Sequence, residues 1–349
     1  MKSVKNLIDK LYYQSNLPDN ELLTLITQKD TEISEYLYEL ARKRQQEYYG
    51  NKVFIRGLIE VSSYCRNNCF YCGLRRSNTC AQRYRLSKEQ ILSCCDDGYS
   101  LGFRTFVLQG GEDSYYTDNL LCDIISTIKN KYKDCAVTLS LGERSYESYK
   151  KLFEAGTDRY LLRHETATPE HYNKLHPIEL SCKNRMECLN NLKSIGFQTG
   201  CGFMVGSPYQ TAEHIVRDLR FIKNFKPHMV GIGPFISHHD TPFKNEKQGS
   251  AELTLFLLAV IRLLLPGVLL PATTALGTAS KDGRVKGILS GANVLMPNLS
   301  PKDVREKYLL YDNKLSSGEE ASENIRKLKQ SIKAIGYEIV TDKGDSKAG

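Results

Sequence analysis

The sequence predicts an α/β chain folded as a (β/α)8 TIM-type barrel, with N-terminal helices ahead of it and a C-terminal helix outside it. Three observations predict this. Short apolar strands alternate with helical stretches from residue 53 onward, eight such strands can be counted, and a cysteine motif follows the first of them. That count favours a closed barrel over an open parallel sheet, and barrels of this kind carry their sites at the C-terminal ends of the strands.

The elements follow in order. Residues 1–50 read as helices, because Leu7, Ile8 and Leu11, then Leu22, Leu23, Leu25 and Ile26, then Ile33, Leu37 and Leu40 recur at helical spacing. Strands are expected at residues 53–61, 105–108, 136–141, 159–164, 197–205, 229–234, 267–271 and 293–297. Helices are expected between them at 88–99, 119–131, 146–155, 184–195, 212–225 and 252–265. A last helix over 319–335 carries Ile325, Leu328, Ile332 and Ile335 and should pack outside the barrel. The polar tail after Thr341 is expected to be disordered. The expected division is a helical extension (1–50), the barrel (51–312), and a C-terminal helix with its tail (313–349).

Bulk properties exclude several classes. A chain of 349 residues with 25% charged and 41% hydrophobic residues has globular composition, at a length that barrels reach as one unit. The net charge of +8 is spread along the chain, its densest cluster being Arg42-Lys43-Arg44. Neither a basic stripe nor an interleaved aromatic platform is present, so no nucleic-acid partner is expected. The longest apolar stretch, residues 253–270, is interrupted by Arg262 and Pro266-Gly267. It reads as a buried helix running into a strand rather than a membrane span. Eleven cysteines, an odd number, and a start without a secretory apolar segment point to reduced thiols and a cytoplasmic location.

The chemistry starts at Cys65-x-x-x-Cys69-x-x-Cys72, at the end of the first strand and with Tyr71 beside the last thiol. Cubane clusters are held by Cys thiolates, normally four. Three ligands in eight residues leave one iron of a 4Fe-4S cluster open, which suits catalysis at the metal. Zinc would want a fourth ligand, commonly from a second C-x-x-C, and the remaining cysteines form none.

Other strand ends carry candidates with two readings each. Gln109-Gly110-Gly111-Glu112 is either a tight turn or a backbone cradle for an amino-acid moiety. Arg163 and Glu165 share one strand face, as an internal salt bridge or as a site for a zwitterion. His164 points the other way and reads as structural. Arg185, near a helix N-terminus that does not favour it, is a surface arginine or a ligand contact. Glycines in Gly202-Phe203-Met204-Val205-Gly206 and Val230-Gly231-Ile232-Gly233 mark barrel packing or room for a flat heterocycle. Thr273 and Thr274 could meet a small anion at the mouth, and Tyr308 and Tyr311, three apart on an expected helix beyond the eighth strand, could cap it or pack in the core.

Together these residues resemble the radical S-adenosylmethionine (SAM) enzymes, and most closely the FeFe-hydrogenase maturases of the HydE family. The resemblance rests on the Cys65/Cys69/Cys72 triplet with Tyr71, on Gly110-Gly111-Glu112, and on Ser140-Leu141-Gly142-Glu143. It extends through Arg159-Tyr160-Leu161-Leu162-Arg163-His164-Glu165-Thr166, Met204-Val205-Gly206, Val230-Gly231-Ile232-Gly233-Pro234-Phe235 and Pro271-Ala272-Thr273-Thr274-Ala275. Methylornithine synthase and biotin synthase are near relatives.

The resemblance implies one 4Fe-4S cluster on Cys65, Cys69 and Cys72, with SAM at its open iron. Gly110, Gly111 and Glu112 would meet the SAM amino group, Ser140, Arg163, Glu165 and Arg185 would be further SAM contacts, and Tyr71, Met204 and Ile232 would line the adenine. Reductive cleavage would give a 5′-deoxyadenosyl radical acting on an iron–carbonyl–cyanide–cysteine precursor of the di-iron centre, near Thr273, Thr274, Tyr308 and Tyr311. Implied partners are that small organometallic or amino-acid-derived substrate, an electron donor such as ferredoxin or flavodoxin, and other hydrogenase maturases. Some family members bind a second cluster through later cysteines; this chain has none after Cys201, so no such cluster is expected.

Overall fold

In a computed structural model that describes residues 2–315 and 321–348, six parallel strands lie side by side in chain order. They are Gly57–Ser62, Thr105–Gly110, Ala136–Ser140, Arg159–Leu161, Gln198–Cys201 and Met229–Val230. Parallel single bridges close the circle: Met229 with Leu269, Pro271 with Val294, and Asn298 with Leu58. Leu58 N donates to Pro297 O at 2.9 Å and Leu299 N to Leu58 O at 2.7 Å, so the eighth position returns to the first. The expected barrel is present.

Local chemistry explains why the helices start where they do. Ser87, Thr117, Ser145, Ser181, Thr211 and Ser250 each stand just before a helix and accept a hydrogen bond from the backbone N–H three residues on. Each thereby satisfies one of the N–H groups a helix start leaves unpaired. The helices Lys88–Ser100, Asp118–Lys131, Tyr146–Glu154, Cys182–Ile195 and Ala212–Phe225 turn apolar stripes inward. Ala251–Leu264 is buried nearly all round because the N-terminal helices cover it, Thr31–Tyr49 above all. That accounts for the apolar run at 253–270.

Several expected strands are broken, each for a local reason. The first divides into Lys52–Ile55 and Gly57–Ser62. The fifth and sixth divide into Gln198–Cys201 with Met204–Val205 and Met229–Val230 with Gly233–Pro234, the two short outer pieces pairing with each other. Gly202 makes the first of these breaks, with φ +157°, and any Cβ there would lie 1.9 Å from Gly231 O. The seventh shrinks to bridges at Leu269 and Pro271, since proline has no N–H for the ladder. Short helices at Pro169–Leu175, Thr274–Ala279 and Gly283–Leu289 had no expectation behind them. The helix expected at Tyr308 and Tyr311 is absent from the described residues: the chain there is loop, and the one helical turn of that region lies earlier, at Lys302–Arg305 after Pro301.

The C-terminal part differs most. The expected last helix is Ala321–Ala334, residues 319 and 320 lying outside the described residues. A strand, Glu338–Val340, then pairs in parallel with Lys52–Ile55. The tail expected to be disordered instead crosses the lower end of the barrel. Lys343 O accepts from Thr105 Oγ1 (2.8 Å) and Arg159 Nη2 (3.1 Å). Asp345 Oδ1 meets Arg159 Nη2 at 2.6 Å and Gln198 Nε2 at 3.0 Å, and Lys347 N donates to Tyr49 Oη at 2.9 Å. The polar composition that suggested disorder serves a polar floor: Arg159, itself 3% exposed, takes its acid from the tail.

Candidate active site

At the opposite end the strand termini surround a cavity of about 300 Å3. The three thiols come to it from one loop, Cys65, Cys69 and Cys72 all lining its wall. All three are free and none is fully exposed. Burial pushes each thiol up, Cys72 to about 12, and their nearness to one another adds to the rise at Cys69 and Cys72. Raised in this way, the groups stay as neutral thiols until a positive partner, such as a metal cluster, stabilises their thiolates.

The loop is braced by Arg83, whose guanidinium donates to the carbonyls of Ser63, Leu74, Arg75 and Asn78. Gly111 packs directly on it: a Cβ there would lie 2.3 Å from Tyr64 O and 2.7 Å from Cys65 Cβ. Neither Gly110 nor Gly111 has positive φ, so close approach at Gly111, not a tight turn, is what the motif serves. Glu112, 9% exposed, accepts from Arg66 Nε at 3.0 Å and from Glu143 N at 2.9 Å. Gly142, at φ +77°, leaves the space that its carboxylate fills.

Arg163 and Glu165 do face the cavity together. Arg163 Nη2 stands 3.1 Å from Glu165 Oε2, yet the two are not aligned as a hydrogen bond. Arg163 Nε and Nη2 and Glu165 Oε2 are buried without a hydrogen-bond partner among the described residues. Such atoms are costly unless a ligand completes them. Glu165 also sits at φ +64°, a strained conformation for a residue with a Cβ, of the kind found at functional sites. His164 is structural, fully buried, with Nδ1 accepting from Gly202 N at 3.2 Å.

Arg185 is buried beside them. Its Nε donates to Glu143 Oε1 at 2.5 Å and its Nη1 to Arg163 O at 2.8 Å, while Nη2 has no partner among the described residues. Tyr71 donates its hydroxyl to His176 Nε2 (3.1 Å), whose Nδ1 stands 2.9 Å from Tyr172 O. A carbonyl can only accept, so the proton sits on Nδ1. Burial lowers His176 to about 3, so it stays neutral and holds the Tyr71 ring at the cavity wall.

Ser140, Met204, Thr273, Tyr308 and Tyr311 also line the cavity. Two expected residues do not. The Ile232 side chain is buried in the core, and only its carbonyl, accepting from Thr273 Oγ1 at 3.3 Å, reaches the strand edge. Thr274 opens the helix Thr274–Ala279 and faces a separate small space with Glu60 and Lys314. Thr273 is the N-cap of that helix and Thr274 its first residue, so the two side chains leave the backbone toward different spaces.

Sequence reasoning did not single out Gln109, Phe235 and Leu310 as lining residues, nor Arg66, Glu143 and His176 as their supports. Arg66 and Glu143 flank motif residues and were within reach of a search for charge partners. His176 carries no local signal.

A closed parallel barrel with three free thiols and an unsatisfied Arg–Glu pair at its mouth defines an enzyme with an open metal centre. Comparison with known proteins agrees. The profile of the Radical SAM superfamily matches residues 59–222. The [FeFe] hydrogenase maturase subunit HydE of Thermotoga maritima is 46% identical over 318 residues, 91% of this chain and 90% of that protein. The 3-methylornithine synthase of Methanosarcina acetivorans is 30% identical over 95% of this chain and 92% of that protein. The crystal structure of methylornithine synthase superposes with a TM-score of 0.84 at 28% identity, covering 96% of this chain and 97% of that one. The chain belongs to the radical SAM superfamily and, within it, to the family of the hydrogenase maturase subunit HydE.

Proposed function

We propose that this protein is a maturase of FeFe-hydrogenase that cleaves SAM reductively and uses the resulting radical on an iron–carbonyl–cyanide–cysteine precursor of the di-iron centre. The observation that carries the proposal is the 46% identity to HydE across 91% of the chain, against 30% for the methylornithine synthase, which would support a mutase instead. The donor set fits the cofactors: three clustered thiols for a 4Fe-4S cluster, and an Arg–Glu pair with unbonded buried atoms for an amino-acid end. Once bound, cluster and SAM supply one-electron cleavage of the sulfonium to methionine and a 5′-deoxyadenosyl radical.

The residues then divide the work. Cys65, Cys69 and Cys72 hold the cluster, and Gly111, following Gly110 at the end of the second strand, lets that strand end approach their loop. Glu112, fixed by Arg66, receives an ammonium group together with Glu165; Arg163 and Arg185 receive a carboxylate, and Ser140 offers a hydroxyl beside them. Tyr71 and Met204 provide apolar walls for the adenine. We assign Ile232 only a backbone contact at most, and place Thr273, Tyr308 and Tyr311, rather than Thr274, around the substrate. Residues 51–312 form the catalytic unit, with 1–50 and 313–349 supporting it. A ferredoxin- or flavodoxin-like donor and the other maturases are the proposed partners, in the cytoplasm; no helix among the described residues is long and apolar enough to cross a membrane.

Anaerobic reconstitution, reduction and addition of SAM should yield 5′-deoxyadenosine well above a Cys69→Ala control, and equal yields would refute the superfamily chemistry here. Deleting the gene should leave its hydrogenase without the di-iron subcluster, and active hydrogenase from the deletion strain would refute the maturase role.

A further inference from the structure

The segment that holds the thiols has an unusual charge pattern. Residues 61–87 contain five arginines (Arg66, Arg75, Arg76, Arg83 and Arg85) and no aspartate or glutamate. Two of the arginines turn inward: Arg83 onto four backbone carbonyls, Arg75 onto Asn68 Oδ1 at 2.8 Å and Ser77 Oγ at 3.1 Å. Those partners are neutral, and the ionisable groups nearest these two guanidiniums are the loop's own thiols, so both charges serve the cluster side of the loop. Arg66, Arg76 and Arg85 turn outward and are exposed. Arg66 and Arg85 are paired with Glu112 and Asp113, but the Arg76 guanidinium has no partner among the described residues. Tyr64, 37% exposed, stacks against Arg85 with the guanidinium carbon 3.9 Å from its ring centroid. The other exposed side chains of the loop, Ser77, Thr79, Cys80 and Gln82, are uncharged.

From this we infer that the outer side of the cysteine loop, centred on Arg76 and flanked by Arg66, Arg85 and Tyr64, is the docking surface for an acidic one-electron carrier protein. The inference rests on the radical SAM reading, which requires an electron from outside. The loop that carries the thiols is itself this surface, so the electron has only that layer to cross. After the two ion pairs are discounted, Arg76 is the outward charge that no carboxylate of the loop offsets, while Asp240, Glu306 and Lys307 border the opposite rim beside Asn78, Cys80 and Gln82. A positive face with an exposed aromatic at its edge steers and seats a partner of opposite charge, and such steering appears in the association rate and its salt dependence.

The test compares two reductants on the reconstituted holoprotein: reduced flavodoxin, an acidic carrier, and dithionite, a small reductant that needs no docking surface. The readouts are the rate of cluster bleaching in stopped flow and the yield of 5′-deoxyadenosine. With flavodoxin, the rate should fall steeply as salt rises, and Arg76→Glu should slow it roughly tenfold at low salt, the lower end of the range for electrostatic steering. Arg76→Gln should fall between, and Lys333→Glu, on the outer C-terminal helix, should match wild type. With dithionite, Arg76→Glu should keep the wild-type rate and yield. A flavodoxin rate indifferent to salt and to Arg76→Glu, with dithionite cleavage intact, overturns the docking surface. Failure of wild type with dithionite overturns instead the radical SAM reading beneath it.

Discussion

Substituting each glycine of the Gly110-Gly111 pair by alanine should separate two neighbouring positions sharply. At Gly110 the new Cβ meets Leu141 Cδ2 and Val61 Cγ2, both at 3.3 Å. These are ends of flexible side chains that can give by a few tenths of an ångström. At Gly111 it meets Tyr64 O at 2.3 Å and Cys65 Cβ at 2.7 Å, and backbone cannot rotate away. An ordinary C···O contact is about 3.3 Å, so roughly 1 Å of displacement is needed. If the core resists, the cost is that of overpacking, about 1–3 kcal/mol. If the loop yields, Cys65 moves by roughly 1 Å, and misplacement of that size at a reacting centre costs on the order of 100-fold in rate. The assay measures iron per chain after reconstitution, thermal midpoint and 5′-deoxyadenosine formation for both variants. Gly111→Ala should lose cluster or at least about ten- to 100-fold of the rate, whereas Gly110→Ala should stay within about threefold of wild type. A Gly111→Ala protein with full iron, unchanged midpoint and wild-type rate would refute the claim that this glycine exists for close approach.

Three further outcomes follow from ion pairs. Arg185→Met leaves Glu143, 11% exposed, without its cation, and should cost about 3 kcal/mol in denaturant unfolding; no loss would show the pair to be dispensable. Removing residues 342–349 takes the acid from Arg159, and because Asp345 is itself 59% exposed the cost should be smaller, about 2 kcal/mol. Burial alone would raise Asp345, but bonds from Gln198 and Arg159 outweigh it and hold its pKa below the usual aspartate value. The contribution is therefore present above the unfolded-state pKa and lost as pH falls through the folded one, and an Asp345→Asn protein should lack that acid-side slope in its unfolding profile. His239 runs the other way. Its hydrogen bond to Asp312 (2.6 Å) raises its pKa, so the clasp between the 235–243 and 308–315 loops holds below the unfolded His value and is lost as pH rises through the folded one. Hydrogen exchange of the 308–315 loop should quicken over that window by more than the intrinsic amide rate does, and Asp312→Asn should remove most of that excess, Asp240 at 3.3 Å from His239 Nε2 retaining the rest.

The barrel was legible because its signals are local. Apolar runs, Ser/Thr caps and strand–helix alternation each report on a few neighbouring residues, and helix bounds deduced from them lie within two residues of those observed. The thiol loop, the glycine pair and the Arg163–Glu165 face were legible for the same reason. What stayed hidden depends on distant partners. Nothing near Asp345 announces that Arg159 needs an acid, so a polar tail reads as disorder. Ile232 and Thr274 sit next to lining residues, and a single step in register decides which of two neighbours faces the mouth. His176 holds Tyr71 from another loop altogether.

The strand Glu338–Val340 gives the barrel a particular order of assembly. Lys52–Ile55 lies between it and Val294–Leu295, both of which emerge late in synthesis. Until they do, the lower half of the first strand has an open edge on each side, and contacts spanning most of the chain form slowly. Throughout that interval the reactive thiols next along the chain wait on an unfinished scaffold. Cluster loading should therefore follow completion of the chain, and a chain cut before Val294 should retain little iron after reconstitution.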